Sequence, residues 1–96
     1  MTERNSLAGV SVAVAGWVVY VLRCRDGSLY TGVTNDLARR LRAHATGKGA
    51  AYTRARRPLR LVFVEGQIGR SAALRREAAL RRLSRAAKLA LVRGAP

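Results

Sequence analysis

The chain has 96 residues, with 19 Lys plus Arg against 5 Asp plus Glu and a formal net charge of +14. That length holds one domain with one modest core, and an apolar content of 49% excludes a chain that stays disordered. Like charges at this density repel one another in the compact state, so a polyanionic partner is expected, nucleic acid first and an anionic membrane surface second.

Seventeen of the basic residues are Arg, which forks onto phosphate and stacks on bases. The single cysteine, Cys24, excludes an internal disulfide and a cysteine-based zinc cluster. A reducing, cytoplasmic setting follows. Residues 7–22 carry no charge, but the run is shorter than the roughly 20 apolar residues of a bilayer helix. Glu3 and a lone Arg4 make a poor signal-peptide n-region. Residues 1–15 therefore read as a poorly ordered tail, with no membrane span, and 16–94 as one domain.

From Trp17 to Leu22 the residues suit a buried strand. "RDGS" at 25–28 signals a hairpin, and "SLYTGV" is its second strand. Thr34, Asn35 and Asp36 are N-cap candidates for a helix through Leu37, Leu41 and Ala45 that Gly47 stops. Residues 47–58 read as a Gly-rich basic loop, and 59–65 as a third strand. Ser71 is the expected N-cap of a helix whose stripe is Leu74, Ala78 and Leu83. Ser84 starts a last helix, ended by Gly94. The order is β-β-α-β-α-α: an α/β (α+β) domain with a small three-stranded antiparallel sheet flanked by helices.

Two of the three tyrosines fall in the hairpin. With a two-residue loop, Asp26-Gly27, Tyr20 opposes Val33 and Tyr30 lies on the other face. With a three-residue loop, Arg25-Asp26-Gly27, Tyr20 opposes Gly32, Tyr30 opposes Leu22, and both tyrosines share a face. The second register is expected, because Gly32 leaves space beside the Tyr20 ring.

"VVY" at 18–20, "YTG" at 30–32, "TNDLARRLRAH" and "RREAALRRLSR" together resemble the GIY-YIG nuclease family, in particular its small stand-alone bacterial members. The likeness covers roughly residues 16–93. It implies a metal-dependent endonuclease that hydrolyses DNA phosphodiester bonds, selective for structure, in repair or recombination. Tyr20 and Tyr30 would position or deprotonate the water, Tyr20 being favoured as base. Arg40, by spacing, would clamp the scissile phosphate, with Arg39 its nearest rival. His44 would relay a proton or hydrogen-bond a tyrosine. Glu77 would hold Mg²⁺ or Mn²⁺. A single carboxylate with waters and a substrate phosphate is an ordinary Mg²⁺ site. The plainer reading of Glu77 is an i,i+4 ion pair to Arg81.

Lys48, Tyr52, Arg54, Arg56 and Arg57 form the expected nucleic-acid contacts, Tyr52 by stacking and the cations on phosphate. Val18 stands where the first motif has Gly, and the late family Asn has no counterpart, since the chain has only Asn5 and Asn35. A non-catalytic basic nucleic-acid-binding protein that keeps the fold is the alternative. DNA is the expected partner, RNA second, with target choice left to this domain, a homodimer or another protein, at the nucleoid.

Overall fold

The structure, a computed structural model, describes residues 16–94; the tail expected over 1–15 lies outside the described residues. The elements are β1 (Val18–Arg23), β2 (Leu29–Thr34), α1 (Leu37–Ala45), α2 (Ala51–Arg54), β3 (Arg60–Gly66), α3 (Arg70–Arg81) and α4 (Arg85–Val92). The three strands form one antiparallel sheet in the order β2-β1-β3.

The hairpin takes the three-residue loop. Tyr20 pairs with Gly32 and Leu22 with Tyr30. Gly27 N–H bonds the Cys24 carbonyl, Cys24 N–H bonds the Ser28 carbonyl, and Gly27 closes the turn at φ +86°. That left-handed position is where glycine carries no steric cost.

Strand alternation then sorts the core into two layers. Val18, Tyr20, Leu22 and Cys24 meet Leu37 and Leu41 of α1 on one face. Val19 meets Ala73 and Leu80 of α3 on the other, with Phe63 and Leu91 beside them. A bulge shifts the β3 register between Val21 and Leu22. It brings Leu61 and Val64, three residues apart, onto the α1 face. Each fully buried leucine contributes roughly 1.5–3 kcal/mol.

Asp36 is the N-cap that α1 uses, its carboxylate accepting from Arg39 N–H at 3.2 Å. The far end closes as a Schellman motif: Lys48 N–H bonds the Ala43 carbonyl, Gly47 N–H bonds the His44 carbonyl, and Gly47 has φ +86°. Ser84 caps α4 through Ala87 N–H, as expected.

Three expectations change. The basic loop contains a helical turn, α2. Ser71 is not the cap of α3: Gly69 precedes the helix, and the Ser71 hydroxyl accepts from Arg75 instead. The buried stripe of α3 is Ala73 and Leu80, while Leu74, Ala78 and Leu83 are exposed. The cause is phase. The sheet accepts a small residue at close approach, and Ala73, fully buried, is that residue. Leucine content alone pointed to the wrong side.

Candidate active site

The two strand tyrosines share the α1 face, as the register requires. Tyr20 is fully buried, and its hydroxyl lies against Gly32, where any added Cβ would collide with it. From α1, Arg40 and His44 stand one turn apart and meet that hydroxyl from two sides. Arg40 Nε donates to it at 3.4 Å, and His44 Nε2 lies 2.8 Å away. Arg40 is anchored again by donating to the Gly49 carbonyl at 3.2 Å. Arg39 is exposed, so of the two neighbours it is Arg40 that enters the cluster.

His44 is fully buried as well. Its Nδ1 lies 2.9 Å from the hydroxyl of Thr53 on α2, and Thr53 in turn donates to the Ala50 carbonyl at 3.1 Å. Burial and then the charge of Arg40 pull the His44 pKa down to about 4. Burial pushes Tyr20 up to about 12, against the opposing pull of its hydrogen bond to Arg40 and that residue's charge. Both rings are therefore neutral at physiological pH. In this state the Tyr20 hydroxyl is buried, protonated and bonded on two sides. For it to take a proton from water, its own must first pass to His44, and the free protein sets the two acidities against that transfer.

Tyr30 is only partly buried and forms the wall of a groove of about 290 Å³ with Leu29, Thr31, Tyr52, Arg81 and Lys88. Tyr52 stacks on it, with centroids 6.1 Å apart and planes at 23°. The Arg56 guanidinium covers the Tyr52 ring at 3.8 Å and pairs with Asp26 in the hairpin turn at 3.2 Å. The basic segment is thus a braced column rather than a free loop. Arg57, exposed, donates to the Ala45 and Arg54 carbonyls. Lys48 and Arg54 are exposed.

Glu77 projects from the face of α3 that carries Ala73 and Leu80, and its side chain is 17% exposed. It lies near enough to Tyr20 for its charge to help raise that pKa. One carboxylate oxygen pairs with Arg81 at 3.1 Å, and the same Arg81 nitrogen donates to the Thr31 carbonyl at 3.2 Å. The plain ion-pair reading is therefore realised in the free protein, on a partly exposed pair. Among the described residues no three His, Cys, Asp or Glu side chains gather around a point. The donor set fits a hard cation that keeps most of its shell as water and phosphate, and excludes a closed protein cage.

Three contributors escaped the sequence reading: Thr53, Gly49 and Lys88. Gly49 packs so close to the His44 ring that a Cβ there would overlap Nδ1. Helical spacing within the "GKGAAYTR" segment was the one available signal for α2, and the paired glycines masked it. No described helix is long and apolar enough to cross a membrane.

Comparison with known proteins identifies relatives of the chain. The UPF0213 protein of Oceanobacillus iheyensis is 51% identical over 74 residues, covering 77% of this chain and 86% of the relative. The UPF0213 protein of Xanthomonas axonopodis pv. citri is 48% identical over 84 residues, covering 88% and 82%. A solution NMR structure of a UPF0213 protein from Bacillus halodurans shares 49% identity at a TM-score of 0.53, over 79% of this chain and 81% of that one. Residues 16–90 match the family described as the GIY-YIG catalytic domain. With the tyrosine pair, Arg40 and Glu77 standing within that span, the chain belongs to the GIY-YIG family, a nuclease superfamily.

Proposed function

We propose that the protein is a Mg²⁺- or Mn²⁺-dependent endonuclease that hydrolyses DNA phosphodiester bonds, selecting DNA by structure, in repair or recombination at the nucleoid. One observation carries the reading furthest. Glu77 sits between Ala73 and Leu80 on the inward face of α3, where packing alone calls for an apolar residue. A carboxylate kept there at the expense of burial is a functional candidate.

The bound cation would supply Lewis-acid stabilisation of the leaving oxygen, with Glu77 as its protein ligand. Arg40, held at Tyr20 and Gly49, presents its fork to the scissile phosphate. Tyr30, on the groove wall, orients the attacking water. Tyr20 and His44 hold the inner end of the network and keep Arg40 in place. Substrate lies along the groove, with Lys48, Arg54, Arg81 and Lys88 on phosphates. Tyr52 stacks on a base once Arg56 swings from its face, or presents Arg56 to stack in its place.

The Arg81–Glu77 contact favours the second reading, a nucleic-acid binder whose carboxylate is structural. One assay separates the two. Nicked, flapped and branched DNA are incubated with the protein and Mg²⁺ or EDTA. The nuclease reading expects metal-dependent cleavage, lost by about a hundredfold or more in Glu77→Gln, with DNA affinity retained. Cleavage that survives Glu77→Gln, or none on any substrate, sinks it.

A further inference from the structure

We infer that Thr53 is a positioning residue for Arg40, acting through His44 and Tyr20. The inference rests on the reading of Arg40 as the phosphate clamp. It follows from where each proton in a buried chain must lie.

The Thr53 hydroxyl donates its single hydrogen to the Ala50 carbonyl at 3.1 Å, beside the Arg54 N–H that the same carbonyl accepts at 2.9 Å. Thr53 Oγ1 therefore meets His44 as an acceptor, and the hydrogen in the 2.9 Å contact belongs to Nδ1. A neutral imidazole carries one N–H, which leaves Nε2 bare. Nε2 then accepts the Tyr20 hydroxyl proton across 2.8 Å. With that proton turned towards His44, the Tyr20 oxygen is free to accept from Arg40 Nε. The bond to the Gly49 carbonyl holds the other arm of the guanidinium.

The opposite tautomer breaks this order. Nε2–H and Arg40 Nε–H would both aim at the Tyr20 oxygen, and the Tyr20 proton would have no acceptor among these groups. Arg40 would share that oxygen with His44 as a second donor instead of holding it alone. A buried donor left unpaired is costly, so the chain runs in one direction. Thr53 holds one end of it by bonding the carbonyl three residues back, and Tyr20, which needs an acceptor for its proton, holds the other. No described buried side-chain polar atom lacks a partner, which is what a fully ordered chain requires.

The test is direct because His44 is the only histidine. Nitrogen-15 NMR of the wild-type protein at neutral pH is expected to show Nδ1 protonated and Nε2 in its bare, pyridine-like range. Thr53→Ser retains that pattern. Thr53→Val, nearly isosteric but without the acceptor, moves the ring towards the Nε2–H form and shifts the Arg40 Nε–H signal. In cleavage assays Thr53→Val loses about tenfold in kcat/KM, the effect of one orienting hydrogen bond, and Thr53→Ser restores it. A wild-type ring protonated at Nε2 overturns the proposal, whether or not any variant folds. So does a Thr53→Val protein with an unchanged tautomer, or one with a changed tautomer and an unmoved Arg40 signal. A wild-type protein that cuts no DNA removes the nuclease reading alone, since the NMR outcomes still decide the role of Thr53.

Discussion

His44 shows how burial changes what a residue type can do. An exposed histidine titrates near pH 6.5 and invites an acid–base role. Here burial and Arg40 hold it neutral to about pH 4. Between those values the unfolded chain binds more protons than the folded one, so stability falls as pH drops. The contribution is complete above about pH 6.5 and is lost as pH falls towards 4, by up to roughly 3 kcal/mol. Urea melts from about pH 7 to about pH 5, above the carboxylate range, are expected to show wild type weakening while His44→Gln, lower throughout, stays flat. A wild-type midpoint that does not move over that range would contradict the assignment. The same scale explains Glu77. Its neighbours in sequence are arginines, which suggests a solvated ion pair, yet its position places it on the packed side of the helix.

At the scale of elements, α1 is the platform of the site. It must hold Arg40 and His44 in phase with Leu37 and Leu41, so its ends matter. Asp36 caps one and the Schellman turn at Gly47 the other. Asp36→Ala is expected to cost about 1 kcal/mol, read as a lowered thermal midpoint with the fold retained. Loss below about 0.3 kcal/mol would mean the first turn is held by other contacts. The short α2 is the second platform. It carries Thr53 inward to His44 and Tyr52 outward to Tyr30, so one helical turn braces both tyrosines of the hairpin. Its attachment to the hairpin is double, through Arg56 to Asp26 and through Arg25 N–H to the Arg56 carbonyl.

Across the whole molecule the charge is barely compensated. Asp26, Glu65 and Glu77 pair with Arg56, Arg76 and Arg81, and Asp36 is spent on a cap. Arg57 and Arg85 brace backbone carbonyls. DNA binding is therefore expected to weaken steeply with salt, with a log–log slope of about −4 or steeper. Lys88→Gln and Arg81→Gln are each expected to make that slope shallower by about 1. Slopes unchanged by both would place the nucleic acid on another face.

The sheet and the hairpin register were legible in the sequence, and the family resemblance pointed to Tyr20, Arg40 and His44 but not to Thr53 or Gly49. Those depend on local quantities: strand alternation, a three-residue turn closed by Gly27, helical spacing from Leu37 to His44, and motif spacing. Tertiary structure alone decided the rest. The phase of α3 depended on how closely Ala73 lets the helix approach the sheet, and leucine count cannot report that. The turn of α2 exists because it packs, although the two glycines before it, Gly47 and Gly49, read as a loop. The neutrality of Tyr20 and His44, and the polarity of the chain from Thr53 to Arg40, arise only when residues far apart in sequence are buried together. Desolvation and hydrogen-bond direction are properties of that shared interior, and no stretch of sequence contains them.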